Sequence, residues 1–540
     1  MINMLRKYGI FSILPFFVLA ESLLIRLAAG PHWLYTNEDP SYQYLVNGVR
    51  IIKGFVPNDI VHPGTSLQLL VSGVCWMLNL GRSASDVAMK VFVAPEFYLQ
   101  AVYVILSIFY FLASIALAVY VFQKTNDRLA AFLSQLPSLG LYTGQYGLWH
   151  LSGECLLIVV LNLFSICFLM GLFAKTPEDE HTAALLWGIV AGLGTGEKIT
   201  LIPLLVIPLI VLSFKNKFLF LTFFAASFII FTFPIISKYP LFILGNIQLL
   251  THLGHQGAGP AGIIEIHSYL SHWRDIIMEH WMYMGLLLSA LFICIWKQGI
   301  QRWERGTFYL AAIVLGVMFQ FAVVAKHPGP SYLLAGIGLF NAFLVLFFLQ
   351  GPFQFVWVRR MMVVFILAFI VVRVWQTNDY RLNLTEGTKN ILAFREHIHE
   401  KYKNDVFIGF YPTSEPSSAL FLGDEYTGSF VELFKLYPQS LYLNRWSGEI
   451  INFKERVLSD DLLTQNPGVI FLGNAFDFST TPFNVRLLEK SQFESAYLLT
   501  GTREKQALLF HQAALHFYRR GEDVKALACE QRAQALHYLP

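Results

Sequence analysis

Two adjacent carboxylates, Glu38 and Asp39, lie just beyond the first long apolar run of the chain. A carboxylate where a membrane helix emerges is partly desolvated, which favours its protonated form. Such a group can take a proton from a hydroxyl or amine as that nucleophile attacks carbon. The pair has a plainer reading as well, because Asp39 precedes Pro40 and Asp before Pro commonly starts a helix, here one beginning at Ser41. A second set of residues is cationic. Lys198 interrupts an apolar stretch within Gly196-Glu197-Lys198, and Lys326-His327 closes another. A lysine there either snorkels to the interface or needs an anionic partner, and a lipid phosphate would supply the anion at that depth. Trp149, His150 and Glu154 share a short polar break. An indole stacks on a sugar ring and a carboxylate binds its hydroxyls, while Trp at a membrane interface needs no ligand at all.

Other residues carry weaker signals. His252, His255, His267, His272 and His280 invite a metal, since neutral imidazole is a zinc or copper ligand. No HExxH and no tight Cys/His set accompanies them, so a divalent metal is left open, and the glycines of the stretch 251–262 suit a flap over a site. The five cysteines (Cys75, Cys155, Cys167, Cys294, Cys529) form no CxxC and no disulfide framework. Phosphate-binding loops, dinucleotide fingerprints and nucleophile elbows do not occur.

The elements that must position these groups follow from composition. The 540 residues are 55% hydrophobic and 14% charged, with mean hydropathy +0.52. A soluble domain carries nearly twice that charge, so the chain is a polytopic membrane protein. A net charge of +3 without a basic cluster gives no reason to expect nucleic acid. Apolar runs near 9–29, 97–122, 129–142, 155–174, 183–196, 198–214, 218–236, 281–296, 307–325, 331–349 and 361–375 give about eleven expected spans. Residues 63–80 read as an amphipathic helix at the interface. Glu21 and Arg26 inside the first run speak against a cleaved signal peptide.

Placing the N-terminus in the cytoplasm puts Arg6/Lys7, Lys124/Arg128, Lys175, Lys215/Lys217, Lys297 to Arg305 and Arg359/Arg360 on the inner side. The unusual polar residues then gather outside, as does the C-terminal segment. From about Thr377 the spans stop. Residues 377–505 alternate helical stretches with β-like runs, such as 406–411 and 469–473, and predict a soluble α/β domain. Residues 506–540 predict a tetratricopeptide-like helical hairpin, too short for a solenoid and suited to a terminal docking element.

The order of these parts resembles the GT-C glycosyltransferases, multi-pass enzymes that move a sugar from a polyprenyl phosphate carrier to an acceptor. In many of them an acid follows the first span, then an aromatic-rich helix and a His-Pro turn. Here Asp39, Tyr42, Tyr44 and His62-Pro63 occupy those places. Protein O-mannosyltransferases usually carry Asp-Glu where this chain has Glu-Asp, so Asp39 is taken as the base and Glu38 as its neighbour. The run AKHPGPSYLLAGIGLF resembles the Lys-plus-Tyr-Leu-Leu segment of aminoarabinose transferase-like members, with Ala335 in place of the usual proline. GEKITLIPL is similar to a Lys-Thr-Pro segment of bacterial members.

The resemblance implies a GT-C-like transmembrane domain over 1–376, with juxtamembrane helices in a first outer loop at 30–96. It also implies a bacterial inner-membrane location and a polyprenyl phosphate-linked sugar as donor. The acceptor would be a glycan, lipid or protein outside the cytoplasm, and transfer would invert the anomeric carbon. Asp39 would be general base, and Lys326, His327 and Lys198 would bind the donor phosphate. His62, Tyr42, Trp149 and Glu154 would contact substrate or the loop. A non-catalytic scaffold that docks a partner through its C-terminal domain fits the same sequence. A transporter fits less well, because no inverted repeat is visible.

Overall fold

The computed structural model describes residues 8–34, 41–60, 64–137, 148–254, 257, 259–300, 304–351, 355–409, 415–424, 430–438, 440–443, 450–453, 469–473, 483–491, 495–501, 527 and 530–531. Glu38, Asp39 and His62, and nearly all of the expected terminal hairpin, lie outside them. The chain is a mostly helical polytopic membrane protein with a small sheet near its C-terminus.

Six helical stretches among the described residues are long and apolar enough to cross a membrane: Gly9–Ala29, Pro95–Thr125, Gly153–Phe173, Phe214–Thr251, Arg305–Val324 and Ser331–Gln350. A seventh arises if Ile266–Glu279 and Trp281–Lys297, bent by 92°, make one span. The expected count of eleven is therefore larger than these stretches bear out, and the reasons are local. The run at 183–196 lies in helix Pro177–Glu197, whose first turn carries Glu178, Asp179 and Glu180. The run at 198–214 breaks into a 3-10 helix, Ile199–Leu205, and a short helix, Val206–Val211, around Pro203 and Pro208. The run at 129–142 gives only the six-residue helix Arg128–Leu133 before the described residues pause. The run at 361–375 belongs to the 46-residue helix Val356–Lys401. Residues 63–80 contain helix Thr65–Met77.

By contact density the chain divides into two compact units. The first comprises Met1–Arg26, Gly54–Gly73 and Gln100–Tyr380. Its helices cannot be drawn together by hydrophobicity in a bilayer, so close packing has to do it. Helix Pro177–Glu197 carries Gly188, Gly192 and Gly196 at four-residue intervals. A Cβ at Gly188 or Gly192 would lie 2.6 Å from the Phe220 or Phe224 carbonyl oxygen of helix Phe214–Thr232. The two backbones thus touch along a seam that any side chain would force apart. On the same helix Trp187, fully buried, meets Phe164 and Phe168 edge-on with ring centroids 5.3 and 5.9 Å away. A Cβ at Gly194 would come 2.6 Å from Val160 Cγ1, so the last turn also lies tight against helix Gly153–Phe173.

The second unit comprises Leu27–Lys53, Val74–Leu99 and Arg381–Pro540. Its sheet runs β3-β2-β1-β4-β6-β5. Strand β1 (Val406–Gly409) pairs in parallel with β2 (Leu441–Leu443) and β4 (Val469–Gly473). Strands β3 (Ile450–Ile451), β5 (Phe483–Lys490) and β6 (Ser495–Gly501) add antiparallel edges. Strand alternation produces two clusters. Ile408, Ile450, Val469 and Leu499 form one, and Ile470, Leu472 and Ala496 pack with Ile398 in the other.

Helices from the beginning of the chain complete this unit. Helix Ser41–Ile52 lies against helix Pro416–Gly423 so closely that a Cβ at Gly423 would sit 2.8 Å from the Tyr42 carbonyl oxygen. Arg50 donates to Asp424 at 3.3 Å, and Lys53 donates to both Glu432 oxygens at 2.7 and 2.9 Å. Burial alone would raise the Glu432 carboxyl, but the Lys53 hydrogen bond and charge hold it below the usual carboxylate range.

Candidate functional site

The first unit contains a buried polar junction assembled from four chain segments. Helix Gly153–Phe173 begins with Ser152 as N-cap and Glu154 in its first turn, where the helix dipole favours an anion. Helix Pro177–Glu197 ends at Lys198, its C-cap, where the dipole favours a cation. The close approach at Gly194 brings these opposite ends together. The Lys198 ammonium pairs with Glu154 in a charged hydrogen bond and donates to Ser331 Oγ at 3.1 Å. It also lies 5.4 Å from the centre of the Tyr332 ring, close enough for a cation–π contact. Ser331 and Tyr332 belong to a 3-10 turn, Pro330–Leu333, and Gln320 fixes that turn by donating to the Tyr332 carbonyl at 2.6 Å.

The fourth segment is the start of helix Thr65–Met77. The Leu67 amide donates to Glu197 Oε2 at 2.8 Å and the Gly64 amide to the Glu197 carbonyl at 2.9 Å. Ser66 Oγ donates to the Leu193 carbonyl at 3.0 Å. Glu154, Glu197 and Lys198 are 2%, 1% and 6% exposed, so three ionisable groups share a site almost without water. Glu197 Oε1 meets no hydrogen-bond partner among the described residues. Charge in such a place is costly unless each member is paired or bonded. Here Lys198 pairs with Glu154, and Glu197 takes the Leu67 amide.

The other residues singled out in the sequence are engaged elsewhere. Lys326 donates to the carbonyls of Leu249, at 2.8 Å, and Leu250, and His327 donates through Nε2 to Leu249 at 2.9 Å. These oxygens belong to the last turn of helix Tyr239–Thr251, so the two side chains close its C-terminal end. Partial burial lowers the proton affinity of the Lys326 ammonium below that of an ordinary lysine. Lys198 and Lys326 share no hydrogen-bond partner among the described residues.

Trp149 is buried, with the Arg26 guanidinium 5.9 Å above its ring and its carbonyl accepting from Arg26 Nη1 at 3.3 Å. Of the histidines, His272 donates through Nδ1 to the Ala325 carbonyl at 2.9 Å, and His252 pairs with Ala261 in an isolated bridge. Among the described residues no three His, Cys, Asp or Glu side chains gather as a metal site.

Tyr42 lies in the second unit, fully buried, and donates to Glu96 Oε1 at 2.9 Å. His32 donates to the same carboxylate through its amide, at 3.0 and 3.1 Å, and through Nδ1 at 2.8 Å. Burial, and then the Glu96 charge, push the Tyr42 phenol well above its usual range.

Sequence reasoning gave no role to Glu96, Glu197 or Ser331. Each sits next to a feature it did use: the start of the second span, Lys198, and the Tyr-Leu-Leu run.

No protein-family model matches the chain, and no curated protein matches it. Among solved structures it is similar to the crystal structure of ArnT from Cupriavidus metallidurans bound to undecaprenyl phosphate. Identity is 10%, the match covers 89% of this chain and 97% of that one, and the TM-score is 0.45. A likeness at that level assigns no role to any residue here.

Proposed function

We propose that this protein is a multi-pass glycosyltransferase of a bacterial inner membrane that uses a polyprenyl phosphate-linked sugar. The observation that carries the reading is the buried Lys198 ammonium, held by Glu154 and Ser331 beside Tyr332. It joins the segments 196–204 and 326–334, whose sequences resemble lysine-containing runs of GT-C members. In the reaction, an acceptor hydroxyl or amine outside the cytoplasm attacks the anomeric carbon and its proton passes to Asp39, with Glu38 alongside. The bond from that carbon to the phosphate oxygen breaks, the configuration inverts, and polyprenyl phosphate leaves as the anion. Lys198 stabilises the charge that develops on it. Lys326 and His327, which also hold the Leu249 and Leu250 carbonyls, join Lys198 at the donor phosphate. His62, Tyr42, Trp149 and Glu154 contact substrate or the loop.

The test compares envelope glycans and polyprenyl-linked sugars by mass spectrometry in cells with and without the gene. A lipid-linked sugar that accumulates while one glycan loses a residue is the expected result, and identical profiles overturn the proposal. In proteoliposomes, Asp39→Asn is expected to lower turnover about 100-fold while leaving the melting temperature unchanged. Asparagine caps a helix as well as aspartate, so a fully active Asp39→Asn protein would mean that Asp39 is only a cap.

A further inference from the structure

Glu197 neighbours the lipid-phosphate reading but has no part in it so far. Its backbone ends helix Pro177–Glu197, yet both its carbonyl and its carboxylate turn to another segment and take the Gly64 and Leu67 amides. Leu67 lies in the first turn of helix Thr65–Met77, where amides lack partners within their own helix. The cap of that helix therefore comes from a residue 130 positions away. Ser66 adds a third tie by donating to Leu193 at 3.0 Å. The packing leaves little room to rearrange, since a Cβ at Gly196 would lie 3.1 Å from Ser66 Oγ and 3.2 Å from Thr232 Cγ2. The next residue, Lys198, is the one whose ammonium meets Glu154 and Ser331. The backbone that aims Lys198 and the backbone that starts helix Thr65–Met77 are thus fastened by three hydrogen bonds, and the Glu197 side chain supplies the one that caps the helix.

We propose that Glu197 is a positioning residue for the lipid-phosphate site. By holding the Gly64 and Leu67 amides it keeps the start of helix Thr65–Met77 and the Lys198 junction in one fixed arrangement, the arrangement that receives the donor's phosphate. This rests on the reading of Lys198 as phosphate ligand. An amide oxygen can take the Leu67 N–H as a carboxylate does, so the role belongs to the acceptor atom and its reach.

The test uses the full-length protein in detergent with undecaprenyl phosphate as probe. Glu197→Ala is expected to weaken binding about tenfold, the size of one buried hydrogen bond. Glu197→Gln should restore binding to within about threefold, because the acceptor is kept. Glu197→Asp, which keeps the carboxyl group but withdraws it by one methylene, should behave like alanine and serves if the alanine protein does not fold. With a sugar-loaded donor, the same variants should raise KM and leave kcat nearly unchanged, which a general loss of stability would not do. Hydrogen exchange in a peptide covering 64–70 should quicken in Glu197→Ala and Glu197→Asp and remain slow in Glu197→Gln.

The two readings fail differently. If Lys198→Ala binds undecaprenyl phosphate as the unaltered protein does, the phosphate reading falls. If Lys198→Ala loses binding while Glu197→Ala and Glu197→Asp keep it, or exchange over 64–70 is unchanged, only the role of Glu197 is overturned. Glutamine failing as badly as alanine overturns it too, since the charge rather than the acceptor would then matter.

Discussion

Lys198 and Lys326 look alike in the sequence, each a lone lysine ending an apolar run before a Pro-containing stretch, but the structure gives them opposite company. Lys198 is buried and faces a carboxylate, a hydroxyl and an aromatic ring. Lys326 is half-buried and faces two carbonyl oxygens at a helix end. A phosphate arriving at Lys198 would have to share the ammonium with Glu154, which cannot cheaply be left buried without its cation. Carbonyl dipoles at a helix terminus offer a weaker hold, and losing it frees the helix end. One lysine is thus arranged for an anion, and the other for a helix. The lesson is that a membrane lysine is classified by what it touches, a property that residue type and spacing do not encode.

The sharpest way to break this comparison is to remove each ammonium. Lys198→Ala leaves Glu154 buried without its cation and should lower stability by about 3–5 kcal/mol. Lys198→Met combined with Glu154→Gln removes both charges and should recover most of that loss without recovering donor binding. Thermal melting in detergent checks both, and a single variant that melts like the parent would remove the contrast. Lys326→Ala should cost less, about 0.3–1 kcal/mol, the worth of a cation at a helix C-terminus, with Lys326→Arg near neutral. If Lys326→Ala instead abolishes undecaprenyl phosphate binding as completely as Lys198→Ala, the two lysines do the same work and the distinction fails.

Lys53 supplies the smallest and most precise refinement, a lysine facing a carboxylate in the second unit with no lipid role in view. The Glu432 pKa is lower in the folded protein than in the unfolded chain, so its contribution to stability is complete above the ordinary glutamate value of about 4.3. That contribution is lost as pH falls through the lower folded value. Lys53→Met should flatten this acid limb and lower stability near neutrality. An unchanged acid limb in chemical denaturation would show that the pair contributes nothing.

Much of the fold was legible because long apolar runs have few alternatives: the first, second and fourth expected spans reappear nearly at their expected ends, and β1 and β4 lie within the β-like runs at 406–411 and 469–473. The span count was not, because hydropathy cannot tell a run that continues from one that proline breaks, as at Pro203 and Pro208. Part of the candidate site was visible as isolated polar residues. Their pairing was not, since Glu154 meets Lys198 only through a glycine contact at Gly194, and glycine leaves no signature in a charge pattern. Equally, nothing in the sequence marked Arg50 as a partner of a residue 374 positions later.

The glycine seam of helix Pro177–Glu197 bears on how the chain enters a bilayer. That helix is not among the six stretches apolar enough to qualify alone, whereas the stretch beginning at Phe214 is. Each glycine removes the apolar surface that would favour lipid over water, so a helix that gains its fit this way weakens its own case for insertion. Its partner has to be at hand when the decision is made. In the folded chain the greasier helix Phe214–Thr232 packs along the glycine face of the one that carries Glu197 and Lys198 at its end.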